Sequence, residues 1–401
     1  MGGGSLRCNI ADPVTKPDPD SKSDPWTTAA ALFAQSPHLA QYVHHLIIEL
    51  QPVFNYRHEI PKASLAFLTL LVNVRIFEIT PQSYMSWYHA PKAVPAPIFA
   101  FLRSRKDRPL DKVSVTKVGH LPIEWVIQAL ESTKNLYLYF CCLKEYDMDR
   151  GRLRTPMTKF LKYNHSAGAS LPRTLSLHFS SNVVQLLSHT SFKKYLPSVH
   201  TLTMSEYGLE SDLVPTIAFF GLLAPTVKHL VIDTMREINT FSMPCSWPAL
   251  NTLEVHQTKD DLENEGEHPW ILTHVLNEIL SPTHASPELT ELTIVLSHTI
   301  DDMPEGSIDP TRSKPVAWAL NSTLMALFDR ICASHSTLRT IRWVTVFSFT
   351  STGYDDDDVY TPYPVEAALA QHLAFWEALT RALPKVAASG CLVFEDRKPT
   401  L

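Results

Sequence analysis

ALNTLEV, residues 249–255, states a pattern that the chain keeps repeating. TVKHLVI (226–232) and SVHTLTM (198–204) stand upstream, and ELTELTI (288–294) and TLRTIRW (337–343) stand downstream. Each phrase reads apolar-x-x-apolar-x-apolar. The same triplet recurs as Val43/Leu46/Ile48, Val74/Phe77/Ile79 and Leu110/Val113/Val115. LPRTLSLHF (171–179) fits with Leu175/Leu177, and KNLYLYF (134–140) is a further candidate in an open register. The last two apolar positions are two apart, which is strand spacing. Val, Ile and Leu fill them, as suits buried parallel strands.

Between the phrases lie stretches with apolar residues three and four apart, the spacing of amphipathic helices. LPIEWVIQALEST (121–133), PWILTHVLNEIL (269–280) and PVEAALAQHLAFWEALTRAL (364–383) are clear cases, several beginning beside proline. The unit is therefore helix, turn, short strand. Sequential parallel strands of this kind make a doubly wound sheet, a barrel or a solenoid. One strand phrase repeated so often favours a solenoid, and this phrase is the strand line of a leucine-rich repeat. The steps run from about 23 residues (Val227 to Leu250) to about 49 (Leu289 to Leu338), so the repeat is irregular. The expected fold is α/β: an irregular leucine-rich-repeat-like solenoid of about ten strands. A curved parallel sheet would form its concave face and helices its convex face. Residues 1–25, polar and broken by Pro13, Pro17, Pro19 and Pro25, read as a disordered tail. Residues 26–401 read as one solenoid domain with an acidic loop at about 351–363.

Composition narrows the function classes. The 401 residues carry a net charge of −6, without the basic excess of a general nucleic-acid surface. No apolar run approaches the roughly 18 residues of a membrane span, and no secretory leader is evident. The six cysteines form no C-x-x-C pair and read as reduced, mostly buried thiols. These features point to the cytoplasm or nucleus, with neither membrane nor nucleic acid as partner. No metal or cofactor motif is present.

The phrases LFAQSPHLAQYVHHLIIEL (32–50) and LTLLVNVRIFEIT (68–80) resemble the start of the repeat region in fungal F-box/leucine-rich-repeat-like proteins. YLPSVHTLTMSEY and SWPALNTLEVHQT are similar to the same family's later repeats, and the resemblance covers about residues 26–400. It implies a substrate receptor of a ubiquitin ligase. The L-P-x-E-[IL]-L-like opening of an F-box does not occur before Pro37, so docking on a Skp-type adaptor is not expected.

In a solenoid the residues between apolar strand positions face the concave side. His178, Ser205, Asp233 and His256 share one slot, Glu254 occupies a neighbouring one, and His229 lies beside Asp233. Strands about 4.8 Å apart would set them in a row. The primary expectation is a non-enzymatic recognition surface for an unidentified protein ligand. A hydrolase using the His/Ser/Asp row is the alternative. The run Asp355, Asp356, Asp357 and Asp358 reads as a solvated loop or as a docking loop for a basic partner.

Overall fold

The computed structural model describes residues 4–10, 25–50, 67–81, 83–89, 95–144, 146–147, 152–153, 171–207, 213–236, 246–258, 262, 271–281, 286–300, 319–349 and 365–397. The chain forms two compact units, Met1–Leu223 and Ala224–Leu401. The acidic run 355–358 lies outside the described residues.

The first unit carries β1 (Gly4–Ile10), β2 (Val43–Leu50), β3 (Ile76–Ile79), β4 (Met85–Ser86), β5 (Lys112–Thr116), β6 (Val118–Gly119), β7 (Asn135–Tyr139), β8 (Tyr146–Asp147), β9 (Arg152–Leu153), β10 (Thr174–His178) and β11 (Thr201–Tyr207). Its main sheet runs β1-β2-β3-β5-β7-β10-β11. β4 pairs in parallel with β6, and β8 pairs antiparallel with β9. β1 falls within the stretch read as an N-terminal tail and pairs in parallel with β2. The second unit carries β12 (His229–Arg236), β13 (Thr252–Thr258), β14 (Glu291–Ile300), β15 (Thr340–Phe349) and β16 (Leu392–Asp396), again side by side in chain order. Within each unit every pairing of these main-sheet strands is parallel.

The repeated phrase accounts for the register. Leu175 and Leu177 stand opposite Leu202 and Met204, and Leu253 and Val255 stand opposite Leu292 and Ile294. All eight side chains are buried. Helices fill the connections. Ile123–Ser132 buries Trp125, Val126 and Leu130, and Ser181–Ser188 buries Val183, Val184 and Leu187. Asn321 caps the helix Ser322–Ser334, its side-chain oxygen accepting from Leu324 N–H at 2.9 Å.

The expected curved leucine-rich-repeat solenoid is corrected by the burial along these strands. An open concave face would expose every second residue of each strand. Instead Ile294, Val295 and Leu296 are all buried in succession, as are Trp343, Val344 and Thr345. Both faces of these strands are covered, the condition of a parallel sheet in an α/β fold. On one face Trp343 packs against Phe328 and Phe375, at centroid distances of 5.6 and 5.9 Å. Strand length also departs from a uniform rung, from four residues in β3 to ten in β14 and β15. The architecture is an α/β fold with all-parallel sheets flanked by helices.

Among the described residues four non-glycines have positive φ: Lys117, His120, Phe140 and Phe179, at 51–56°. Each directly follows a strand, namely β5, β6, β7 and β10. The chain thus leaves these strands through a left-handed residue. Three of the exits are hydrogen-bonded to the next strand: Lys117 N–H to Tyr139 O (2.6 Å), Phe140 N–H to His178 O (2.8 Å) and Phe179 N–H to Ser205 O (2.7 Å).

Candidate active site

Along β10 the leucines at 175 and 177 enter the core, so Ser176 and His178 share the opposite face. Parallel pairing sets His178 directly opposite Ser205 of β11. The imidazole bridges two hydroxyls. Nδ1 lies 2.5 Å from Ser205 Oγ, and Nε2 lies 2.8 Å from Ser176 Oγ. Ser205 has no exposed surface and Ser176 only 3%. A neutral imidazole has one N–H and one lone pair. One serine therefore donates to the ring, and the other accepts from it. That is the arrangement of an activated hydroxyl, a base and a group that holds the base in one tautomer.

The backbone around His178 is tied down as well. Its carbonyl accepts from Phe140 N–H at 2.8 Å and from Ser180 Oγ at 2.9 Å. Aromatic rings flank it. Tyr139 lies 5.8 Å from the His178 ring, centroid to centroid, and Phe140 stacks on Phe179 at 4.5 Å. Both phenylalanines are left-handed exit residues. A bulky residue with positive φ is an outlier costing about 1–3 kcal/mol, and such strain clusters at functional sites. Sequence reasoning passed over Tyr139, Phe140 and Phe179. Their signal is an aromatic doublet closing a strand phrase, YF at 139–140 and HF at 178–179.

In the second unit the same slot builds a different object. His256 Nδ1 lies 3.2 Å from Asp233 Oδ1, and Nε2 lies 2.7 Å from Glu254 Oε1. Burial alone would lower the histidine's pKa, but the bonds to Asp233 and Glu254 and their charges raise it to about 9. His256 is thus a cation at neutral pH, clamped between two carboxylates, and is no base. His229 is half-buried, and the Glu254 carboxylate is held below its ordinary value chiefly by its hydrogen bond to His256. Among the described residues no group of three His, Cys, Asp or Glu is placed to hold a metal ion. No helix among them is long and apolar enough to cross a membrane.

No family model matches this chain, and a search of curated proteins finds no match. The likeness to fungal F-box/leucine-rich-repeat-like proteins rests on its phrases alone. The expectation of a non-enzymatic protein-recognition module is overturned by the site itself. A partner cannot read hydroxyls that are buried and hydrogen-bonded to a shared imidazole. The Ser176–His178–Ser205 network is a hydrogen-bonded arrangement of the kind seen in catalytic triads, which counts against the expectation that the chain is no enzyme. The descriptions as leucine-rich repeat, F-box-like protein and ubiquitin-ligase receptor find no support in the structure.

Proposed function

We propose that the chain is a serine hydrolase in which Ser205 is the nucleophile and His178 the general base. The observation that carries this reading is the 2.5 Å contact between Ser205 Oγ and His178 Nδ1. In the acylation step Ser205 Oγ attacks the carbonyl carbon while His178 Nδ1 takes its proton. The leaving alcohol or amine then departs with that proton. Water, deprotonated by the same imidazole, cleaves the acyl-enzyme and regenerates the hydroxyl. Ser176, accepting from Nε2–H, orients the ring and stabilises the imidazolium that forms. Ser205 has no exposed surface, so this reading requires substrate to displace the packing over it. The rings of Tyr139, Phe140 and Phe179 favour esters with an apolar or aromatic acyl group. Work in the cytoplasm or nucleus fits the free thiols of Cys141, Cys142, Cys332 and Cys391 among the described residues.

The test is hydrolysis of p-nitrophenyl esters of short aliphatic and aromatic acids. Ser205→Ala and His178→Ala should each lower kcat/KM by about 10³-fold or more with the circular-dichroism spectrum unchanged. Turnover that survives both substitutions would refute the assignment.

A further inference from the structure

At the N-terminal ends of β2, β3, β5 and β7, the first unit opens into a cavity of about 490 Å³. It lies at the opposite end of the strands from His178, so its ligand chemistry is independent of the hydrolase reading. The strand starts are locked in step, with Arg75 N–H on His44 O at 2.8 Å and Asp111 N–H on Arg75 O at 2.7 Å. Charged side chains dominate the lining: Arg75, Arg105, Arg108, Lys134 and Asp111, with His44 beside them.

The charges do not cancel. Asp111, the one carboxylate of the lining, is engaged by Lys134 at 2.7 Å. Arg75 and Arg108 are exposed and have no acidic partner among the described residues. Arg105 is the informative one. It is only 5% exposed, lies over the Phe101 ring at 4.6 Å, and donates to two neutral carbonyls, Val72 O at 2.7 Å and Leu71 O. Its buried Nε has no partner. Burial and the neighbouring Arg108 charge both depress its pKa. A buried guanidinium normally has a counter-charge, since desolvating an ion costs several kcal/mol. Among the described residues none is supplied, and a second cation stands beside it.

We propose that this cavity binds a small phosphorylated ligand, its phosphoryl dianion resting among Arg75, Arg105 and Arg108. Guanidinium forks match phosphoryl oxygens in pairs, and three uncompensated cations match a dianion better than a single carboxylate. The volume lies in the range of small-ligand sites.

Isothermal titration of the full chain with inorganic phosphate and pyrophosphate, at fixed ionic strength, tests the proposal. One saturable site is expected, tighter for pyrophosphate. Arg75→Ser and Arg108→Ser, both at exposed positions, should each weaken it at least tenfold while leaving ester turnover unchanged. Three results would overturn the proposal: no saturable heat with either anion, affinity unchanged in both variants, or citrate binding more tightly than pyrophosphate. The last would assign a carboxylate ligand instead.

Discussion

His178 and Ser205 face each other across a registered pair of parallel strands, with Nδ1 2.5 Å from Oγ. Because Ser176 takes the other ring nitrogen, the two serines have different roles, and mutation separates them. Ser205→Ala removes the nucleophile and should abolish turnover. Ser176→Ala leaves a base and a nucleophile but frees the ring, and a loss of about 10–100-fold in kcat is expected, with KM little changed. Steady-state kinetics on one ester decides this. The reverse ranking would make Ser176 the attacking group.

The left-handed exits carry a stability prediction. Lys117 has φ of 56°, its side chain is exposed, and the left-handed region costs an L-residue about 1–2 kcal/mol. Lys117→Gly removes that cost and gives back part of it as chain entropy. A net gain of about 0.5–1 kcal/mol should appear in urea melts, whereas Lys117→Val should lose stability.

The clamp on His256 makes stability depend on pH in a set direction. Its folded pKa of about 9 lies above the unfolded value near 6.5. The imidazolium therefore stabilises the fold fully below about pH 6.5, and that contribution fades as pH rises through about 9. Glu254, lowered chiefly by its hydrogen bond to His256 and against its burial, keeps its charge until the medium is acidic. The stability gap between the natural chain and His256→Ala should be about 1–3 kcal/mol near pH 6 and shrink by pH 9.5. Denaturant midpoints at pH 6, 8 and 9.5 measure it. A gap independent of pH would mean that His256 is not charged in the folded chain.

Core leucines of the phrase set the baseline. Leu253 is 1% exposed between strands β12 and β14, and Leu253→Ala should cost about 2–5 kcal/mol. Equilibrium unfolding checks it, and a cost below about 1 kcal/mol would place this leucine outside a packed core.

Much of the register was legible in the residues, and much of the architecture was not. The spacing of Leu250, Leu253 and Val255 reports one buried face of one strand, and burial agrees at all three positions. It says nothing about the other face. Val295 and Val344 carry that information, since each is buried beside buried neighbours on both sides. A period-two reading takes such runs as a short apolar stretch and assigns the far face to solvent. For the same reason Ser205 reads as a surface residue: a hydroxyl in a polar slot looks exposed until its partner is known. The slot alignment did bring His178 and Ser205 together. It also set Asp233 and His256 in the same slot, and their direct contact makes a fixed ion cluster rather than a base. Spacing carries no record of which nitrogen meets which oxygen.

Covalent labelling tests the central claim most directly. The folded chain is incubated with a fluorophosphonate, which phosphonylates only a hydroxyl made nucleophilic by a base, and the adduct is mapped by peptide mass spectrometry. One adduct on Ser205 is expected, lost in His178→Ala and retained in His256→Ala. An unlabelled chain, or labelling of Ser205 that persists without His178, would contradict the assignment of nucleophile and base.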